Sequence, residues 1–146
     1  MKKKSPHEDV YVRIGLSRIH GVGVRAIREI PAATRVFRGE NERVVWVSRA
    51  AVRRQPAAIR KLYEDFGIVW KDQIGVPRTF NSLSVGWYVN HSERPNVEAD
   101  EAGRFVTLRR IRKGEELTAD YRTFTDEALP FRPRRKAEPG RRPSRS

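Results

Sequence analysis

The sequence predicts a mainly β domain of the α+β kind with a small helical insert. Most apolar residues stand in short runs that alternate with polar ones or are rich in β-branched types, as is typical of strands. Between residues 48 and 66 the apolar spacing changes to i, i+3, i+4, i+7, which indicates helix. At 146 residues the chain has the length of one ordinary domain. It shows no internal repeat of about 20 to 50 residues, which excludes solenoids and propellers.

The first half of the chain predicts short strands. In residues 10–16, β-branched residues alternate with aromatic and charged ones, as in a half-buried strand. Residues 21–37 predict two short strands around Pro31, which has no N–H to donate to a sheet. The β-branched residues of 42–48 predict a further strand.

Residues 48–66 predict the helical insert. Ser48 is a candidate N-cap, and Pro56 marks a break or the start of a second helix. The apolar stripe that follows is expected to pack in the core and consists of Ile59, Leu62, Tyr63 and Phe66. Short strands resume in residues 67–76, 97–101, 103–110 and 116–120.

The net charge of +13 is concentrated at the chain ends. Residues 132–146 contribute +6 and the three lysines of 2–4 contribute +3, which leaves +4 for residues 5–131. We therefore expect a basic extension in residues 1–9 and a disordered basic tail in residues 129–146. Two interpretations of residues 132–146 stay open: a weak, salt-sensitive contact with nucleic acid, or a solvated tail.

Composition also excludes several classes of protein. The chain has no cysteine, which excludes disulfide frameworks and zinc ribbons, and its three histidines are too scattered to predict a metal site. No apolar run approaches the roughly 20 residues that span a bilayer, and no apolar segment follows the N-terminal lysines. These observations predict a cytoplasmic protein without a membrane partner, and association with a nucleoid or chromatin stays open. They do not predict an oligomeric state.

Three stretches carry residue types suited to chemistry. Gly21 and Gly23 flank Val22 and leave its backbone open to a ligand, although a hairpin turn explains them equally. Residues 90–96, Asn-His-Ser-Glu-Arg-Pro-Asn, form either a polar site or a simple turn. Residues 111–121 contain a Lys-Gly turn, two acids and a short strand that ends in tyrosine, which by itself describes an ordinary hairpin.

In this order and combination, the three stretches resemble the SET-domain protein lysine methyltransferases. The resemblance runs from about Val10 to Phe124. It implies a SET-domain β-clip of short strands in residues 10–128 and a C-terminal pseudoknot, in which the segment with the last motif passes beneath the loop formed by the motif before it. That threading would bring Asn90 and His91 next to Tyr121.

The resemblance also implies an S-adenosylmethionine-dependent protein-lysine N-methyltransferase. In this interpretation Tyr121 is the catalytic residue at the point of methyl transfer, and no metal takes part. Phe124 or Phe131 would stack on the adenine, because the family's cysteine-bound zinc lid is absent. The implied contacts to the cofactor are Gly21, Val22, Gly23, Tyr88, Asn90, His91, Tyr121 and Phe124.

The partner implied is a protein with an exposed lysine. Four acids could receive a basic peptide, or be solvated surface charges: Glu64, Asp65, Asp72 and Glu93. An alternative is a catalytically inactive SET-like module that binds nucleic acid or protein through its basic ends. The joint presence of Asn90, His91 and Tyr121 favours the enzyme.

The sequence departs from the family pattern at four positions. Glu93 stands where a zinc-binding cysteine is frequent, and Trp87 where arginine is common. Phe37 replaces the tyrosine of a Tyr-x-Gly motif, and Ala119 replaces a common phenylalanine. The last two changes alter the walls of the lysine channel, so the number of methyl groups transferred does not follow from the sequence.

Overall fold

The computed structural model describes residues 5–37, 44–100 and 104–124. Its strands in these ranges are β1 (Val12–Leu16), β2 (Val22–Ala26), β3 (Val45–Ser48), β4 (Ile68–Trp70), β5 (Gln73–Val76), β6 (Asn90–His91), β7 (Val97–Ala99), β8 (Phe105–Thr107) and β9 (Glu116–Ala119). Its helices are α1 (Arg49–Arg53) and α2 (Ala57–Phe66), with 3-10 turns at Val85–Tyr88 and Tyr121–Thr123. The predicted mainly β class with a small helical insert is confirmed.

The main sheet has the strand order β1-β2-β9-β6. Strand β9 is antiparallel to β2 and parallel to β6, so a late segment of the chain lies between an early one and a middle one. The register places Asn90 opposite Thr118 and His91 opposite Ala119. This is the strand arrangement of the expected pseudoknot, and it joins the second and third motifs through a shared sheet.

The hydrophobic core lies around this main sheet. Its five largest fully buried side chains are Val24, Ile30, Val97, Ile111 and Leu117. Because β1 is an edge strand that packs on the core only at its start, Val12 is buried whereas Leu16 is 81% exposed. The prediction of regular half-burial along β1 is therefore wrong beyond its first residue.

The second strand predicted in residues 21–37 is reduced to isolated bridges. Ile30 pairs with Ile111 and Arg35 pairs with Val106, but no named strand forms between them. Ala33 has φ of 58°, in the left-handed region, and this turn interrupts the extended backbone after Pro31. The segment therefore pairs with the rest of the protein through two isolated bridges instead of a continuous strand.

The insert forms a second sheet, ordered β3-β5-β4, with α1 and α2 packed against it. Ser48 caps α1, since its side chain accepts a hydrogen bond from the Ala51 N–H, and the predicted break lies at Pro56. The predicted burial of the α2 stripe is wrong, because no residue of α2 is buried and Ile59 is 38% exposed. The rings of this stripe instead form an aromatic contact at the edge of the insert, where Tyr63 and Phe66 meet Phe80.

Strands β7 and β8 form a separate antiparallel pair. None of the helices in the described ranges is long and apolar enough to cross a membrane. The predicted tail 129–146, including Phe131, and residues 1–4 lie outside the described residues. The proposed domain boundaries and the nucleic-acid contact of residues 132–146 therefore stay predictions.

Candidate active site

Asn90 connects β6 to the turn between β1 and β2 (residues 17–21) and to the start of β2. The Asn90 side chain is buried, and its Nδ2 atom lies 3.0 Å from the Val22 carbonyl oxygen and 3.2 Å from that of His20. The same nitrogen lies 3.0 Å from Ser17 Oγ, which also accepts the backbone N–H groups of Ile19 and His20. Asn90 therefore holds the first motif against the second.

Glu116 of β9 supports this junction from the third motif. Its Oε2 atom accepts hydrogen bonds from the Ser17 hydroxyl at 2.9 Å and from Asn90 Nδ2 at 3.1 Å. Its Oε1 atom is buried without a hydrogen-bond partner in the described part of the chain, and Arg25 Nη2 is 4.0 Å away. The junction thus contains a carboxylate with one oxygen available to a cationic or hydrogen-bond-donating group.

The two glycines of the first motif have different structural roles. Gly21 has φ of 49° and open space around it, so it serves the turn itself. A Cβ atom on Gly23 would lie 2.7 Å from Glu116 Oε2 and 3.0 Å from Asn90 Nδ2. Gly23 therefore makes room for two protein side chains, while Gly21 and the 43% exposed Val22 present the accessible backbone of the turn.

His91 connects β6 to the segment after β9. Its Nδ1 atom accepts a hydrogen bond from the Tyr121 backbone N–H at 3.0 Å, and the two ring centroids are 5.2 Å apart. An accepting Nδ1 requires the neutral imidazole with its proton on Nε2. The structure therefore brings His91 and Tyr121, which are 30 positions apart, into direct contact, as the threading predicted.

The Tyr121 hydroxyl donates a hydrogen bond to the Val89 carbonyl oxygen. Burial raises the pKa of Tyr121, and the nearby charge of Glu116 raises it further. The phenol therefore keeps its proton across the physiological range. Because that proton is directed at Val89, the lone pairs of the phenol oxygen can accept a hydrogen bond from another group.

The 3-10 turn that carries Tyr121 is fixed by a short ionic network. Asp120 caps this turn and accepts hydrogen bonds from the Arg122 backbone N–H at 3.0 Å and from Arg122 Nη2 at 2.6 Å. Burial alone would raise the pKa of Asp120, but its hydrogen bonds with Arg122 outweigh burial and hold that pKa below its usual value. Glu93 lies 3.8 Å from Arg122, so the position that in the family often carries a zinc-binding cysteine here contributes to an ion pair.

Aromatic rings surround the junction of His91 and Tyr121. Phe124 lies 5.4 Å from the Tyr121 ring and 6.2 Å from that of Phe105, which in turn meets Phe37 at 5.7 Å. Phe37, noted as a departure from the family pattern, thus joins the same ring cluster as Phe124.

Tyr88 directly precedes Val89, the acceptor for Tyr121, and its ring lies 5.6 Å from that of Phe66 in α2. The contact gives the insert a direct connection to the candidate site.

The structure brings most of the predicted site residues together. Hydrogen bonds or ring contacts join Val22, Asn90, His91, Tyr121 and Phe124 directly or through shared partners. Sequence reasoning missed Ser17 and Glu116, although the second acid of the Gly-Glu-Glu motif was visible as a charged residue entering a strand. No group of three or more His, Asp or Glu side chains that could hold a metal ion occurs among residues that the structure describes, and metal-free chemistry stays a prediction.

The SET domain family model matches residues 21–122, which is more than half of the chain and includes all three motifs. No curated protein matches the sequence. The matched region ends one residue after Tyr121.

Solved structures with this fold include a Plasmodium falciparum protein provisionally assigned as a histone methyltransferase, at 21% identity and a TM-score of 0.50 over 77% of this chain and 93% of that one. A humanized mutant of the Chaetomium thermophilum Polycomb Repressive Complex 2, bound to the inhibitor GSK126, matches at 19% identity and a TM-score of 0.55 over 81% of this chain and 16% of that one. At these identities the likeness shows the fold alone. With the match to residues 21–122 and the shared sheet of the three motifs, it follows that this chain belongs to the SET-domain family.

Proposed function

We propose that this protein transfers a methyl group from S-adenosylmethionine to the ε-amine of a lysine in a protein substrate. The observation that carries the proposal is the hydrogen-bonded path from Val22 through Asn90 and β9 to His91 and Tyr121. It gathers the motif residues of a methyltransferase family around one phenol. Membership of the SET-domain family and the methyltransferase neighbours support this type of activity.

The residues at the junction fit S-adenosylmethionine. The backbone of Gly21 and Val22, together with Asn90 and His91, would hold its polar end, and the rings of Tyr88 and Phe124 would line its pocket. The buried Oε1 atom of Glu116, which accepts no hydrogen bond among the described residues, suits a ligand that carries positive charge, as the ammonium and sulfonium groups of this cofactor do. When bound, the cofactor supplies an electrophilic methyl group.

Tyr121 would orient the substrate amine. Because the pKa of its hydroxyl is raised, Tyr121 is a poor general base and acts as a neutral hydrogen-bonding group. Because the Tyr121 hydroxyl donates its hydrogen bond to the Val89 carbonyl oxygen, the phenol oxygen can accept a hydrogen bond from an N–H of the amine. This would fix the direction of the nitrogen lone pair. Positioning of this kind requires neither a metal nor a covalent intermediate.

The lysine must be neutral to attack the methyl group. Its free pKa lies about 3.4 units above pH 7, so deprotonation in water costs about 4.6 kcal/mol. Entry into a site with aromatic walls lowers that pKa by desolvation, and a nearby sulfonium charge lowers it further. The rings of Tyr121, Phe124 and Phe105 would supply apolar surroundings.

Tyr121→Phe tests the assignment. We expect calorimetry to show saturable S-adenosylmethionine binding close to that of the original protein, because the ring remains. We expect transfer of labelled methyl to a protein extract to fall by about 100-fold or more, since the hydroxyl that orients the amine is gone. Tyr11→Phe is the matched control, because that tyrosine directly precedes β1 and its ring packs against the Arg28 guanidinium. Full activity in Tyr121→Phe would remove the proposed role of the phenol.

Cofactor binding also separates the enzyme from the inactive SET-like module. A module that binds partners only through its basic ends would show no saturable binding of S-adenosylmethionine. The protein substrate and a cytoplasmic location are part of the same proposal.

A further inference from the structure

A cleft of about 470 Å³ opens between α1, α2 and the β4–β5 pair. We call it the insert cleft. Its walls combine apolar side chains with charged ones, and four of the charged side chains are cationic. The lining residues are Arg49, Val52, Arg53, Ala57, Arg60, Lys61, Tyr63, Glu64, Val69 and Ile74. None of the motif residues lines it.

The insert cleft has an apolar interior and a basic wall. Val52 and Val69 are buried at 8% and 4% exposure, whereas Arg53 and Arg60 are exposed. Arg53 stands in the last turn of α1 and Arg60 in the second turn of α2, so the two helices present cations to the same space. Such a surface complements a ligand with both carboxylates and apolar side chains.

Two of the four acids that were expected to receive a basic peptide are paired with cations. Asp65 forms an ion pair with Lys61, and Glu93 lies 3.8 Å from Arg122. Glu64 lines the insert cleft among the four cations. A basic peptide on this side of the insert would meet like charge, which disfavours it.

We propose that the insert cleft docks an acidic, partly apolar segment of the substrate protein. That the docked protein is a methylation substrate rests on the function proposed above, whereas the docking itself does not. The insert is connected to the site because Phe66 at the end of α2 contacts Tyr88, next to the acceptor for Tyr121. Docking here would favour target lysines in proteins that carry an acidic segment, and would disfavour uniformly basic ones.

The composition of the cleft favours a peptide over nucleic acid. A phosphate backbone is bound by open basic surfaces, with aromatic platforms where single-stranded bases stack. Here aliphatic side chains and a carboxylate, Glu64, share the walls of the cleft with the cations. Leucine-like side chains would contact these aliphatic groups while glutamates meet Arg53 and Arg60.

The test uses the full chain and a fluorescein-labelled peptide of alternating glutamate and leucine. We expect saturable polarisation that weakens by about tenfold in the double variant Arg53→Glu with Arg60→Glu. The matched control is Arg54→Glu, an exposed neighbour of Arg53 that does not line the cleft. A peptide with glutamine in place of glutamate should bind at least about fivefold more weakly.

Equal binding by the original protein and the double variant, with circular dichroism showing both folded, would overturn the proposal. Tighter binding of a labelled oligothymidylate, lost in the same double variant, would overturn it in favour of a nucleic-acid cleft. If the peptide binds as expected but no methyl transfer is found with any protein extract, the docking stands and the proposed function fails.

Discussion

The main sheet and the insert differ in how their residues are used. The main sheet carries the fully buried side chains of Val24 and Leu117, and polar side chains of the site hydrogen-bond to its strands. In the insert, α2 has no buried residue, and Trp46 and Trp70 of its small sheet are 45% and 48% exposed. The difference teaches that the closest packing lies where the three motifs meet, whereas the insert keeps more of its apolar surface exposed.

One leucine in each region measures this difference in packing. Leu117→Ala in β9 should lower the free energy of unfolding by about 2 to 5 kcal/mol, because the residue is fully buried. Leu62→Ala in α2 should cost about 1 kcal/mol, since Leu62 is half-buried and alanine favours the helix. Urea unfolding of both variants checks this pair, and equal losses would show that the insert is packed as tightly as the core.

The two glycines of the first motif provide a sharper comparison within the site. Gly23→Ala places a methyl group against Glu116 and Asn90, so we expect a loss of about 1 to 3 kcal/mol in unfolding free energy and weaker cofactor binding. Gly21→Ala meets open space and should lose about 1 to 2 kcal/mol from its backbone conformation alone. Calorimetry with S-adenosylmethionine separates the two, because a decrease in affinity only in Gly21→Ala would contradict the roles assigned here.

The smallest expected effect concerns stability in acid. The hydrogen bonds of Arg122 lower the pKa of Asp120 in the folded protein, so this group stabilises the fold above its unfolded pKa of about 3.9. That contribution is lost as the pH falls through the lower, folded pKa. Hydrogen bonding with Arg109 lowers the pKa of Glu115, which gives the same sign.

Asp120→Asn should therefore lose less stability than the original protein between about pH 5 and pH 2. Urea unfolding across this range measures the slope. An unchanged slope would mean that the Asp120–Arg122 pair contributes no pH-dependent stability.

The sequence predicted that the distant motifs lie close together in the fold. It did not predict which other residues hold them in place. Asn90, His91 and Tyr121 could be placed together because their motifs resemble a family with a known threading. The role of Gly23 could not be predicted, since only the packed structure shows that Glu116 and Asn90 occupy the space beside it. The stripe of α2 has helical spacing, but spacing indicates which residues share a face and does not fix how deeply that face is covered.

The pairing of charged side chains in the insert could not be predicted from the sequence either. Its acids stand out in the sequence, whereas the structure shows Asp65 paired with Lys61 and places Glu64 among the cations of the insert cleft. The charge of a surface depends on which side chains lie next to each other. For the side chains of α1 and α2, this depends on the turn at Pro56 between the two helices.

Backbone amide shifts during titration with S-adenosylmethionine test the central claim most directly. We predict that the amides of Val22, His91 and Tyr121 respond together and follow one saturable curve, while those of Arg53 and Arg60 in the insert cleft stay in place. Saturable changes confined to the insert cleft, or the absence of any saturable change, would contradict the assignment of the three-motif junction as the cofactor site.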